Sequence, residues 1–302
     1  MKVAIIGANS LLASYITEQL MADERNDIWL FGRRSTVADD HAKINFQYFN
    51  YPDAVPDFEL FLSFDLLVYC AATGVQAGQA VTTDLIYELN AFLPIRLLNY
   101  LSDNKFSGKW VSFGSYFEIG NNDAEHNFKE EEVVASTLTV PNHYCASKRL
   151  LTRFIDAELF SVKAYHFILP TIYGAKENAK RLIPYIIDAL REQRPLQLSA
   201  GTQVRQYIHC LDVATLIELI ASDDYPAGIY NLTAGSPIQI AQLVKSVFLL
   251  FGQDATAYLG TLKTRDEGMK YLAISSQKVA TCIPKWQPKL TIEEGIKEYT
   301  GG

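Results

Sequence analysis

The sequence predicts an α/β fold: a doubly wound parallel sheet followed by a smaller α/β region toward the C-terminus. Three observations carry this. Short, almost unbroken apolar runs recur through the first 170 residues, amphipathic helical stretches separate them, and the first run passes through a tight small-residue turn directly into a helix. Strands that are apolar on both faces belong to a parallel sheet covered by helices on both sides.

Taken in order, KVAIIG (2–7) is the first strand, LLASYITEQLM (11–21) a helix with apolar residues at helical spacing, and DIWLFG (27–32) the second strand. INFQYF (44–49) reads as a third strand, DLLVYCAA (65–72) as a fourth, and DLIYELNAFLPIRLLNYL (84–101) as a long helix. KWVSFGS (109–115) is the fifth strand, HYCASKRLLTRFIDAELF (143–160) a helix, and VKAYHFILP (162–170) the sixth strand. After Pro170 the rhythm changes. RLIPYIIDALREQRP (181–195) is a helix, QVRQYIHCLDVATLIELIA (203–221) a strand then a helix, GIYNLTAG (228–235) a short strand, and QIAQLVKSVFLLFG (239–252) a helix. Residues 1–170 and 205–233 are assigned to the main sheet and its helices, residues 171–204 and 234–302 to the smaller region.

Composition narrows the function classes. A chain of 302 residues, 49% of them hydrophobic, can bury a sizeable core, which excludes disorder. A net charge of -7 without a basic stripe argues against nucleic acid as a partner. Polar residues interrupt every apolar stretch short of bilayer length, so no membrane span is expected. The strand-like run from Lys2 leaves no room for a signal peptide. Cys70, Cys145, Cys210 and Cys282 are far apart, as expected of reduced thiols in a cytoplasmic protein, and the five histidines show no metal-ligand spacing.

A strand that turns sharply into a helix aims backbone N–H groups and the helix dipole at an anion. Gly7, Ser10 and Ala13 occupy the spacing at which dinucleotide-binding turns carry glycine. Gly7 suits the sharpest point, Ser10 is small and can cap the helix or donate to a phosphate, and Ala13 still permits close packing on the sheet. Gly7, Asn9, Ser10 and Leu11 are therefore candidate cofactor-binding residues, although a core strand–turn–helix without ligand has the same local pattern. In PNHYCASK (141–148), Tyr144 and Lys148 are four apart and share a helical face. An ammonium beside a phenol favours the phenolate, which lowers the tyrosine pKa toward neutrality and makes Tyr144 a proton donor or acceptor. A chance pair on a solvated face has the same spacing. Ser115 ends the fifth strand at the same carboxyl edge, where its hydroxyl can hold a substrate oxygen.

At these residues the chain resembles the extended short-chain dehydrogenase/reductases of the sugar-nucleotide epimerase/dehydratase family. The likeness covers Gly7-x-x-Ser10-x-x-Ala13, DLLVYCAA, Asn90 in YELNAFLP, Ser115 with Gly120, and Tyr144-x-x-x-Lys148. It continues through LPTIYG (169–174), VRQYIHCLDVA (204–214), GIYNLTAG and WQPKLTIEEGI (286–296). The resemblance implies a Rossmann-type NAD(P)-binding domain with a smaller substrate-binding region. It also implies an oxidoreductase with Ser115, Tyr144 and Lys148 as the catalytic set and hydride transfer at a sugar carbon. By the same match Ala71, Ala72, Asn90 and Pro170, with Tyr144 and Lys148, line the cofactor site, and Asn50 and Tyr51 lie where adenine is contacted. Ser115, Tyr116 and Arg205 would face the nucleotide sugar, Arg205 as a clamp on its pyrophosphate. Helices after residues 84 and 143 are those through which members dimerise, so a homodimer is expected.

The second strand ends in LFGRRS, where an acidic residue would accept the ribose hydroxyls. Arg33 and Arg34 stand there instead, and two guanidiniums suit a 2′-phosphate and adenine. NADP is therefore expected, with NAD as the alternative. Family dehydratases carry Asp-Glu after the catalytic hydroxyl, where this chain has Tyr116 and Phe117. Epimerase-reductases use a Cys and a His, but Tyr116 holds the place of the Cys and GAKENAKRLIP (174–184) contains no His. The expected reaction is NADPH-dependent reduction of the C4 keto group of a nucleotide-activated 4-keto-6-deoxyhexose. A nucleotide-sugar 4-epimerase with tightly bound NAD is the alternative, and a non-catalytic NADP-sensing protein a third. Selectivity is expected from residues 171–204 and the loop 73–84.

Overall fold

The computed structural model describes residues 1–35, 44–74, 81–262 and 268–300, so part of the expected specificity loop (75–80) lies outside the described residues. Its first half runs β1 (Lys2–Ile6), α1 (Leu11–Met21), β2 (Asp27–Gly32), β3 (Ile44–Tyr48), β4 (Leu66–Tyr69), α2 (Thr83–Tyr87), α3 (Leu93–Asp103) and β5 (Lys109–Ser115). The middle holds β6 (Asn127–Phe128), α4 (Glu130–Ala135), α5 (His143–Asp156), β7 (Lys163–Leu169), β8 (Thr171–Tyr173), α6 (Leu182–Arg191) and β9 (Val204–His209). Then come α7 (Cys210–Ser222), β10 (Gly228–Asn231), β11 (Ala234–Gln239), α8 (Ile240–Leu249), β12 (Ala273–Ile274), α9 (Gln277–Cys282) and α10 (Ile292–Gly295).

Seven parallel strands form the main sheet in the order β10-β7-β5-β4-β1-β2-β3. The chain winds outward in one direction from β1 and then in the other from β4, which opens a crevice between their carboxyl ends. Alternation along each strand divides the core. Val3, Ile5, Leu66, Val68, Val111 and Phe113 are buried on one face, and Ala4, Ile6, Leu67, Tyr69 and Trp110 on the other. Burial of both faces explains why these strands read as unbroken apolar runs.

The expected long helix over 84–101 is present but not uniform. A π-helical turn over Glu88–Phe92 separates α2 from α3. Pro94 in the first turn of α3 has no N–H for the carbonyl four residues back, and the wider turn absorbs that loss. Within the stretch 205–233, α7 packs against α1 and β10 extends the main sheet, but β9 does not join it. β9 instead pairs with β8 in parallel and β11 in antiparallel, forming a three-stranded sheet. A separate apolar cluster that includes Tyr173, Ile183, Ile186, Ile187, Val244 and Phe248 lies with this smaller sheet.

Candidate active site

The site grows from the carboxyl ends of β1, β2, β4, β5 and β7. At the end of β1, Gly7 has φ +89°, and a Cβ there would stand 2.4 Å from Ala71 N and 2.5 Å from Ala71 Cα. The loops leaving β1 and β4 therefore touch through their backbones at the mouth of the crevice. Ser10 caps α1, its Oγ accepting Ala13 N–H at 3.2 Å. The free N–H groups of this eleven-residue helix face the crevice end, a cradle that suits a dinucleotide pyrophosphate. Leu11 opens the helix and is half-buried.

Asn9 serves the neighbouring loop. Its Oδ1 accepts Arg33 N–H at 2.7 Å and Arg34 N–H at 3.3 Å, and its Nδ2 donates to Arg34 O at 2.9 Å. It thus fixes the backbone that presents the two exposed arginines beside the crevice. Asn50 and Tyr51 follow β3. The Asn50 amide donates to Asp53, and the Tyr51 hydroxyl donates to Glu88, which is paired with Arg96 at 2.7 Å.

Three expectations require correction. Asn90 does not line the cofactor crevice: it is 0% exposed. Its side chain exchanges two hydrogen bonds with the Thr73 backbone, each 2.9 Å, and donates to Ser147 Oγ at 3.0 Å. It ties the loop after β4 to α5, and the π-helical turn supplies the position. Tyr116 likewise offers no surface to a substrate. It is 0% exposed and its hydroxyl pairs with Thr171 Oγ1 at 2.8 Å, because its ring fills the core beneath the site. Ala71 and Pro170 are buried at the ends of β4 and β7, and Ala72 is exposed.

Ser115, Tyr144 and Lys148 come together at this edge. Ser115 ends β5 and caps the 3-10 turn Tyr116–Ile119, and Asn142 caps α5 by accepting Cys145 N–H at 3.0 Å. One turn along α5 from Tyr144, Lys148 is buried and donates from Nζ to Phe113 O at 2.8 Å. The expected net shift of Tyr144 toward neutrality is the third correction. Burial is the dominant influence and holds the phenol well above its ordinary value, with a hydrogen bond from Ser115 and the charge of Arg181 opposing it. Lys148 is turned into the β5 backbone, where burial pushes its own pKa down. Tyr144 is therefore held as the neutral phenol near neutral pH.

On the opposite wall Arg205 of β9 is buried, its Nη1 donating to Val204 O and Met269 O, both at 2.7 Å. Arg181, before α6, went unnoticed in the sequence. Its Nη2 donates to Ile172 O at 2.7 Å, it pairs with Glu177, and its charge reaches Tyr144, Tyr116 and Tyr207. The one signal for it was a basic residue just before an apolar helix.

The NAD dependent epimerase/dehydratase family model matches residues 3–233. The chain is 20% identical to a CDP-abequose synthase of Salmonella muenchen over 98% of its own length and 96% of that protein's. Its fold is similar to that of a dTDP-glucose 4,6-dehydratase from Bacillus anthracis in complex with NAD, with a TM-score of 0.82 and 18% identity, covering 100% of this chain and 96% of that one. A UDP-glucuronic acid 4-epimerase from Bacillus cereus, in complex with UDP-glucuronic acid and NAD, gives a TM-score of 0.83 at 15% identity, covering 100% and 99%. The match across most of the length, together with the crevice and its three polar groups, makes the chain a member of the NAD dependent epimerase/dehydratase family of enzymes.

Proposed function

We propose that the protein reduces the C4 keto group of a nucleotide-linked 4-keto-6-deoxyhexose, with NADPH as the reductant. The observation that carries this reading is the convergence of Ser115, Tyr144 and Lys148 beside the cradle at Gly7. Two features add support. Tyr116 and Phe117 follow Ser115, so no carboxylate pair stands there to eliminate water across C5–C6 of the sugar. One relative that is similar along almost the whole chain is a CDP-abequose synthase, and the proposal takes a nucleotide-linked sugar as this chain's substrate too.

NADPH, its pyrophosphate held at the Gly7–Ser10 cradle, would supply the hydride that C4 takes up, with the carbonyl electrons passing to oxygen. Tyr144, kept protonated by its burial, gives its phenolic proton to that oxygen and completes the alcohol. Ser115 Oγ orients the carbonyl, and Lys148 stabilises the tyrosinate left behind and would bind the nicotinamide ribose. Arg205 and Arg181 supply positive charge to the diphosphate.

Purified protein mixed with NADPH and a panel of nucleotide-linked 4-keto-6-deoxyhexoses is expected to consume NADPH with at least one of them. Tyr144→Phe is expected to lower kcat by about 10²–10⁴-fold while leaving NADPH affinity nearly unchanged. Isomerisation of a UDP-hexose without added cofactor, with no ketone of the panel reduced, would overturn the reading in favour of a 4-epimerase.

A further inference from the structure

Behind the catalytic trio lies an ionisable group that the reduction does not use. Glu118, in the 3-10 turn after β5, is 1% exposed. A carboxyl group at that depth needs partners to carry charge. Its Oε1 accepts Ser115 N–H at 2.5 Å, and its buried Oε2 has no hydrogen-bond partner. Gly114 makes the room for it. A Cβ on that residue would stand 2.7 Å from Glu118 Oε1, 2.8 Å from His166 Nε2 and 3.2 Å from Thr152 Oγ1. Gly114 shows no positive φ, so space rather than backbone conformation accounts for it.

The groups that face this carboxyl come from two elements besides its own. From α5 come Thr152, whose hydroxyl favours the charged carboxylate, and Lys148, Arg149, Tyr144 and Cys145, and Arg149 also donates to the carbonyls of Glu118 and Ile119. From β7 comes His166, whose ring pairs with Ser112 Oγ at 2.8 Å and Thr152 Oγ1 at 2.9 Å, and Thr152 donates to Lys148 O at 3.1 Å. Burial keeps His166 neutral, its pKa pushed down to about 3, and raises the thiols of Cys70 and Cys145 to about 12. Two groups oppose the burial that drives Lys148 toward the neutral amine: Glu118 and Cys70. Lys148 Nζ is held at Phe113 O and Glu118 Oε1 at Ser115 N–H, two residues apart at the end of β5, so the two groups meet the same strand end. Burial pushes the Glu118 carboxyl up to about 7, which leaves it ionised where Lys148 titrates, at about 8, and with Cys70 a neutral thiol the opposing charge is that of Glu118.

We propose that Glu118 is a positioning residue that acts through Lys148, holding the turn that presents Ser115 and providing the buried counter-charge that keeps Lys148 an ammonium ion. Its catalytic consequence rests on the reductase reading above; its effect on Lys148 does not. Glu118→Gln keeps the shape and an acceptor for Ser115 N–H but removes the charge. Because Glu118 favours the protonated forms of both Lys148 and Tyr144, each loses its proton at lower pH in the variant. Ketone reduction requires both protonated. The alkaline limb of kcat/KM is therefore expected to move down by about one pH unit, while the profiles converge on the acid side, where Glu118 is itself protonated.

The deciding measurement needs no substrate. In an NMR titration of the lysine ε-carbons of the full chain, with the Lys148 signal assigned by its loss in Lys148→Arg, Glu118→Gln is expected to lower the Lys148 midpoint by about one unit. An unchanged midpoint in a folded variant would overturn the proposal even if ketone reduction is observed. A shifted midpoint without turnover of any ketone would uphold it and count against the reductase reading alone. If Glu118→Gln does not fold, the reciprocal titration decides: in Lys148→Met the Glu118 carboxyl midpoint must rise, and no movement overturns the idea.

Discussion

Gly7 meets two demands at one position. Its φ of +89° lies in the left-handed region, and the space where a side chain would go is filled by the backbone of Ala71. A methyl group there would force apart the loops that leave β1 and β4. Gly7→Ala is expected to cost more than about 2 kcal/mol and to abolish NADPH binding, measured by thermal melting and fluorescence titration. Ser10 is under no such constraint, since its φ is -82° and its contribution is a helix cap. Ser10→Ala should cost about 1 kcal/mol, and Ser10→Gly only about a few tenths. A small residue suffices at position 10; at position 7 only glycine does.

Between elements, the decisive contacts are made by side chains that hold one loop against another. Asn9 braces the arginine loop after β2, and Asn90 braces the loop after β4 against α5. With its backbone so fixed, Arg33 is presented at the edge of the crevice. Arg33→Ala is expected to weaken NADPH binding about tenfold or more and NADH binding little, by titration of both; equal losses would remove the argument for NADP. The elements that carry these loops were legible: α1, β2 and β5 occupy the stretches their apolar spacing predicts, because burial on both faces is written into those residues. β11 was not, since AGSPIQ is polar, contains proline and owes its strand character to pairing with β9, far away in sequence. The candidate site divides in the same way. Ser115, Tyr144 and Lys148 could be found from local spacing, whereas a lone Glu118 or Arg181 resembles any surface charge until tertiary packing encloses it. The burial that raises the Tyr144 pKa is likewise a property of the assembled fold.

At the scale of the whole molecule, the segment from Trp286 to Thr300 closes the structure over residues far earlier in the chain. Trp286 is buried with its Nε1 donating to Asp212 O at 2.9 Å, and the Asp212 carboxylate accepts the N–H groups of Lys289 and Leu290. Trp286→Ala is expected to destabilise the fold by about 3–5 kcal/mol, measured by chemical denaturation, and Asp212→Ala to lower stability by releasing the same segment. Further along, the Tyr299 hydroxyl accepts Gly174 N–H at 2.9 Å and donates to Glu177 at 2.6 Å, and Glu177 pairs with Arg181. That contact orders events during synthesis. Gly7, Ser115, Tyr144 and Lys148 leave the ribosome well before Tyr299, whereas the loop that carries Arg181 waits more than a hundred residues for its anchor. The wall that carries Arg181 is thus the last part of the crevice to gain its anchor.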